Sequence, residues 1–331
     1  MAFYIIITKD FSQMSEEAGK IVLKELEAFE PTEKKDKYIL GLATGNSPIG
    51  LYQYLVDNQD KFEAKNIISF NLDEYIGLPG ENPQLRTLHP ESYSYFMIQQ
   101  LFGKLEKSFG KITEKSFFKT YVPYGNMVDQ NELIKALNVY PNDYQIMGAD
   151  AGKAIVISDS AKNEYLKWIK KEILDAYEKK INDFNGIDLQ IIGVGGRGHV
   201  AFHESGIPLD LKMLLVQLDK NTIENAVKAG HFKSIEESPQ YAISMGAGLV
   251  YEAKTVILLA NGESKIDPVK ESLFGEVTDK VPISYGQEYA RKGGNMIYVI
   301  DAIAAKGIIG REKELMSKGI KVIQKAWSIK K

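Results

Sequence analysis

Between Ile187 and Pro208 the chain reads I-D-L-Q-I-I-G-V-G-G-R-G-H-V-A-F-H-E-S-G-I-P, and the side chains packed into it are of the kinds that move protons. Gly193, Gly195, Gly196 and Gly198 share this stretch with Arg197, His199, His203 and Glu204. An unperturbed imidazole titrates close to neutral pH, and a nearby acid can orient it, so His199 and Glu204 outline a general acid–base pair. The glycines let the backbone turn tightly and approach a bound group, because no Cβ blocks positive φ. Gly193, Gly195 and Gly198 also match the G-x-G-x-x-G spacing of a dinucleotide-binding turn. That turn belongs in an early βαβ unit with an acid about twenty residues on. Here it lies past mid-chain with titratable residues inside it, and a reaction site is the better reading.

Three shorter motifs also follow apolar runs. Tyr38–Leu42 leads into Ala43-Thr44-Gly45-Asn46-Ser47-Pro48. Ser47 suits a helix N-cap and Pro48 a first helical residue, which predicts a helix to about Asn58 with unpaired N–H groups facing an anion. Ile67–Leu72 ends in Asp73-Glu74-Tyr75. Taken alone, that acid pair reads as a helix cap plus a surface carboxylate. Thr255–Ala260 runs into Asn261-Gly262-Glu263-Ser264-Lys265. In open α/β sheets ligands collect beyond the carboxyl ends of the strands. Four unusual motifs in that position converge on one edge.

The elements that must carry these motifs follow from periodicity. Strands are expected at Phe3–Thr8, Met213–Leu218, Tyr241–Met245 and Met296–Ile300. Helices are expected at Ser15–Phe29, Glu91–Phe102 and Asn163–Tyr177, with a basic one closing the chain from Arg311 to Ile329. Thr222–His231 reads as loop and short helix, and Asn142–Ser160 as mixed. Strands alternating with helices predict an α/β fold: an open, largely parallel sheet with helices on both faces. The whole of 1–331 reads as a single domain, with an insertion or lid expected within 105–185.

Composition narrows the function classes. A hydrophobic fraction of 44%, a charged fraction of 26% and a formal charge of −3 describe an ordinary globular protein and argue against nucleic acid or an anionic membrane as partner. With no cysteine, thiolate chemistry and disulfides are excluded, in keeping with a cytoplasmic enzyme. The opening M-A-F-Y-I-I-I-T-K-D lacks a basic segment and a long apolar run, so no secretory leader is expected. No stretch has the length of a membrane span.

Leu40–Tyr52 (L-G-L-A-T-G-N-S-P-I-G-L-Y), Phe70–Pro79 (F-N-L-D-E-Y-I-G-L-P), His89–Tyr93 (H-P-E-S-Y) and Gly193–Glu204 resemble the glucosamine-6-phosphate deaminase/isomerase family, whose fold is shared with 6-phosphogluconolactonases. Y-A-I-S-M-G and N-G-E-S-K occur in the matching order. The resemblance implies isomerisation of a 2-amino-sugar 6-phosphate with loss of ammonia, without metal or cofactor, in a protein that is often a homo-oligomer. It gives Asp73 the role of the base that moves a proton from C2 to C1. It makes His199 the group that opens the sugar ring, and Glu204 its orienting acid. Thr44, Gly45, Asn46 and Ser47, with Lys265, become the phosphate site.

The chain departs from the family pattern twice. Arg197 stands where the deaminases place an aspartate two residues before the histidine. The family's phosphate arginine is also missing, since no arginine occurs between Arg197 and Arg291, and only Lys228, His231 and Lys233 are near its place. The expectation drawn from both is that Arg197 supplies an anion contact. His89 and His203 are left without a defined role. Two other functions share the fold: lactone hydrolysis, and a silent sugar-phosphate sensor of the kind attached to a helix-turn-helix, of which the sequence shows no trace.

Overall fold

The computed structural model describes residues 2–105, 116–149, 152–228 and 230–325. Its strands in chain order are β1 Ala2–Thr8, β2 Tyr38–Leu42, β3 Ile67–Asn71, β4 Asp73–Ile76, β5 Lys119–Tyr121, β6 Tyr144–Met147 and β7 Lys153–Ile157. They continue with β8 Leu189–Ile192, β9 Met213–Gln217, β10 Tyr241–Met245, β11 Thr255–Ala260, β12 Asn295–Asp301 and β13 Ile320–Gln324. Eight form one sheet in the order β13-β1-β12-β11-β8-β2-β3-β5, with every pair parallel. The other five form an antiparallel sheet in the order β4-β10-β9-β7-β6.

The large sheet is α/β in the expected sense. β2, β3 and β8 are buried at every position, because an all-parallel sheet has helices on both faces and its strands become continuous apolar runs. The helix Phe11–Glu27 turns Met14, Ala18, Val22, Leu23 and Leu26 inward, the i, i+4, i+8 stripe of an amphipathic helix. Asp10 caps it by accepting from the Gln13 N–H at 3.0 Å.

The smaller sheet explains what periodicity left mixed. Residues 142–160 contain the hairpin-like pair β6 and β7, with Tyr144 opposite Ile157. Ile155, Ile157, Leu215 and Ile243 form a second core with Leu133, Leu137, Leu166, Ile169 and Ile173 from helical residues 130–139 and 164–175. β5 meanwhile extends the large sheet beside β3. The described part of the expected insertion or lid is thus built into both sheets; residues 106–115 and 150–151 lie outside the described ones.

The C-terminal expectation is corrected. Instead of one helix from Arg311 to Ile329, a short helix Glu312–Ser317 ends at Gly319 (φ 79°), and β13 pairs parallel to β1 with Ile320 opposite Phe3. The β-branched residues of I-K-V-I suit a strand better than a helix. Residues 326–329 of that expected helix lie outside the described ones. Residues 222–231 hold the end of a helix that starts at Lys220 and runs to Lys228.

Two features of this architecture locate a site. From β2 the large sheet grows one way through β3 and β5, and from β8 it grows the other way through β11 and β12, so strand order reverses between β2 and β8. Their carboxyl ends therefore open a crevice. β3 also passes through the single residue Leu72 into β4, which belongs to the other sheet. Leu72 N donates to Leu42 O at 3.1 Å, and Met245 N donates to Leu72 O at 2.7 Å. Asp73 starts where the two sheets meet.

Candidate active site

A cavity of about 470 Å³ lies at that crevice, lined by residues from all four motifs: Thr44–Ser47, Asp73, Gly193–Gly195 with His199, and Asn261, Ser264 and Lys265. Ala43, Leu72, Tyr93, Ala201 and Phe202 complete its wall. Tyr93 and Phe202 fall within the motifs His89–Tyr93 and Gly193–Glu204, but the sequence gave neither a role at the site.

One end is a cradle of donors. The loop after β2 is pinned from below by the wholly buried Tyr52, whose hydroxyl accepts from Ala43 N at 3.1 Å and donates to Ala43 O. The helix behind the loop is Ile49–Asp57, and Ser47 does not cap it as expected. Instead Ser47 Oγ donates to Asn261 Oδ1 at 3.0 Å, tying the first motif to the last across the crevice. The Asn261–Lys265 loop is held in turn by buried Asp301, which accepts from Gly262 N at 3.2 Å and from Ala304 N at 2.7 Å. Burial holds the Lys265 ammonium below its ordinary pKa, with no carboxylate pulling it back up. A desolvated cation beside the backbone of Thr44–Ser47 is a site for a multiply charged anion.

Asp73 and Glu74 are both buried, so the surface-acid reading is corrected: a strand crossing between two sheets leaves neither face to solvent. Their environments differ. Glu74 accepts from Tyr75 N, Tyr93 N, Ser94 N, Ser92 Oγ, Ser94 Oγ and Asn126 Nδ2 at 2.8–3.1 Å. Burial holds its carboxyl above the ordinary range, against a partial lowering by the Ser94 and Tyr93 N–H groups and the Ser92 and Ser94 hydroxyls. Asp73 Oδ1 has no partner, and its carboxyl is pushed up to about 8, first by burial and then by the Glu74 charge, against a lowering by the Thr44 hydroxyl. Neighbouring carboxyls with different hydrogen-bonding environments take different tasks. Glu74 is the structural anion, and Asp73 is the cavity-facing acid poised near working pH.

His199 reaches the cavity from the glycine turn. A Cβ on Gly195 would stand 1.8 Å from His199 Nε2, so only glycine lets the ring lie back over the turn. Glu204 Oε2 is 2.9 Å from His199 Nδ1. With the carboxylate accepting from Nδ1–H, Nε2 keeps its lone pair for a ligand. The glycines open no helix, as a dinucleotide turn would. The chain makes only the Val200–His203 bridge before β9.

Arg197 is placed elsewhere. Gly198 N donates to Gly195 O at 3.0 Å, which closes a turn with Arg197 on its outer corner. Its half-exposed guanidinium pairs with Asp219 at 3.2 Å and borders a separate depression of about 400 Å³ with Asp267, Glu271 and Lys280. It does not line the cavity, and the contact it makes is to Asp219 rather than to the cradle. Lys228, His231 and Lys233 do not line it either. His231 instead pairs with Glu91 at 2.9 Å, and His89 stacks on Phe232 with ring centroids 6.4 Å apart. Arg197→Ala is therefore expected to change KM for a sugar phosphate by less than about threefold and stability by less than about 1 kcal/mol, since an exposed pair contributes little. Steady-state kinetics and thermal unfolding check both.

Among the described residues no three His, Asp or Glu side chains converge as metal ligands would, and no helix is long and apolar enough to cross a membrane.

Compared with protein-family profiles, the chain matches none. Against individual proteins it is 34% identical over 281 residues to a glucosamine-6-phosphate deaminase of Thermoanaerobacter sp. (strain X514), spanning 84% of this chain and 86% of the relative. It is 33% identical over 310 residues to a glucosamine-6-phosphate deaminase of Shewanella halifaxensis, spanning 93% and 92%. Among solved structures, a monomeric glucosamine-6-phosphate deaminase superposes with a TM-score of 0.63 at 22% identity, over 91% of this chain and 98% of that one. A 6-phosphogluconolactonase from Trypanosoma cruzi superposes with a TM-score of 0.57 at 18% identity, over 93% and 98%. The superpositions speak for the fold alone.

Proposed function

The chain belongs to the glucosamine-6-phosphate deaminase family, and on that premise we infer that it converts a 2-amino-2-deoxyhexose 6-phosphate, with water, into a ketose 6-phosphate and ammonia. The observation that carries this reading is the pairing of one buried carboxyl, pushed up to about 8, with a histidine–carboxylate couple on the same cavity as a lysine-tipped donor cradle.

Each part has a task. The 6-phosphate takes the cradle of Thr44–Ser47 and Lys265, whose donors come from two loops held together by Ser47 and Asn261. His199 Nε2 takes the proton of the anomeric hydroxyl and returns one to the ring oxygen, which opens the sugar to its aldehyde. Glu204 holds the imidazole in the tautomer this needs and stabilises the transient imidazolium. Asp73, once ionised, removes the C2 proton to give an enolate with the amine still on C2, then returns that proton to C1 as O1 takes a proton from the amine. Water adds to the resulting C2 imine and ammonia leaves. A base whose pKa lies near working pH serves both halves of the transfer.

Lactone hydrolysis is the second reading, and it rests on shared fold alone. The absence of cysteine supports placing the reaction in the cytoplasm. Presenting glucosamine 6-phosphate, galactosamine 6-phosphate and 6-phosphogluconolactone in parallel separates the readings. Turnover of an amino sugar with the lactone untouched is expected. Lactone cleavage without amino-sugar turnover would replace the deaminase reading.

A further inference from the structure

His203 is wholly buried and lines no part of the cavity, yet both ring nitrogens are used. Nδ1 accepts from Ala247 N at 3.0 Å, and Nε2–H donates to Ile207 O at 3.0 Å. The Ala247 N–H can only donate, so Nδ1 must keep its lone pair and the tautomer is fixed. Burial agrees with this, lowering the imidazole to about 4 and keeping it neutral.

What the ring joins gives it significance. On one side is the loop that carries His199 and Glu204. It folds back on itself where His203 N donates to Val200 O at 2.9 Å. On the other side is Ala247, two residues beyond the end of β10. In β10, Ser244 is paired with Asp73 of β4, and Ser244 Oγ also accepts from Phe202 N at 3.1 Å. The carbon base and the ring-opening histidine thus sit on different elements, and His203 bolts one element to the other through its bond to Ala247, while its bond to Ile207 fixes the ring within its own loop.

We propose that His203 is a positioning residue that sets the separation between Asp73 and the His199–Glu204 pair. The proposal rests on the roles given to Asp73 and His199 above. It separates His203 from the phosphate cradle, which is held by other loops.

Two substitutions and one spectroscopic readout test it. His203→Leu removes both bonds and is expected to lower kcat about a hundredfold, the effect of an ångström-scale misplacement of reacting groups. KM for glucosamine 6-phosphate should stay within about threefold, because the cradle is intact. His203→Asn keeps an acceptor where Nδ1 stands and should recover kcat to within about tenfold of the parent. Thermal unfolding confirms that each variant is folded at the assay temperature. If folded His203→Leu turns over like the parent, or if its loss is all in KM, the proposal is overturned. Histidine ring NMR reads the same point without turnover, so a chain that fails to deaminate amino sugars does not leave it open. His203 should show the Nε2–H tautomer, and the His199 ring signals should shift in His203→Leu. The Nδ1–H tautomer, or His199 signals that ignore the substitution, would overturn it.

Discussion

Asp73→Asn should lower kcat by about a thousandfold while leaving KM nearly unchanged, within the range that positioned proton transfer contributes. The amide is isosteric with the carboxyl but cannot accept the C2 proton. Asp73 touches the cradle through the Thr44 hydroxyl, which the amide oxygen can still accept, so ground-state binding of the phosphate survives. The same substitution should make the protein more heat-resistant in alkaline solution. The Asp73 carboxyl is raised from an ordinary 3.8 to about 8 in the folded chain. A raised acid binds its proton more tightly folded than unfolded, so its favourable contribution is whole below pH 4 and is lost as pH climbs through 8. Above that pH the parent holds a buried, partly unpaired carboxylate and the amide variant does not. Thermal unfolding at pH 9 should place Asp73→Asn above the parent, and the gap should close as pH falls from 8 towards 4. A variant equally active, or less stable at pH 9, would contradict the assignment.

Lys265→Met should act on the other parameter. Its ammonium is the cavity's desolvated cation, held below its usual pKa by burial. Removing a charge-assisted bond to a bound phosphate costs about 3 kcal/mol, or about a hundredfold in KM at 1.4 kcal/mol per decade. The thioether fills the space of the stem, so kcat should fall only a few fold. Inorganic phosphate, competitive against the parent, should lose most of its inhibition of the variant. A fall in kcat at constant KM would place the phosphate elsewhere and reopen the question of the missing arginine.

The contrast between these two variants is what the sequence made legible. Asp73, His199 and Lys265 each follow an apolar strand, and strand ends of an open sheet share an edge, so local patterning was enough to gather them. What lay beyond patterning was set by contacts distant in the chain. Ser47 has the side chain of a cap, but its hydroxyl goes to Asn261, 214 residues away. Asp73-Glu74 resembles a solvated acid pair until Leu72 is seen to carry the strand from one sheet into the other. Arg197 looked like a replacement anion contact because it stands in place of the family's aspartate and the family's phosphate arginine is missing from the chain. The turn closed by Gly198 and Gly195 sends it outward to Asp219 instead. The smaller sheet was hidden because its strands come from four separate parts of the chain, and β4-β10 pairing spans more than 160 residues of sequence, beyond the reach of any local window.

The measurement that bears most directly on the central claim is the stoichiometry of product release from glucosamine 6-phosphate, with ammonia and ketose 6-phosphate quantified in the same reaction. The account predicts one ammonia for each ketose phosphate, both abolished together in Asp73→Asn. Ammonia without ketose, or undiminished release from the Asp73→Asn variant, would show that this cavity does not carry out the isomerisation assigned to it.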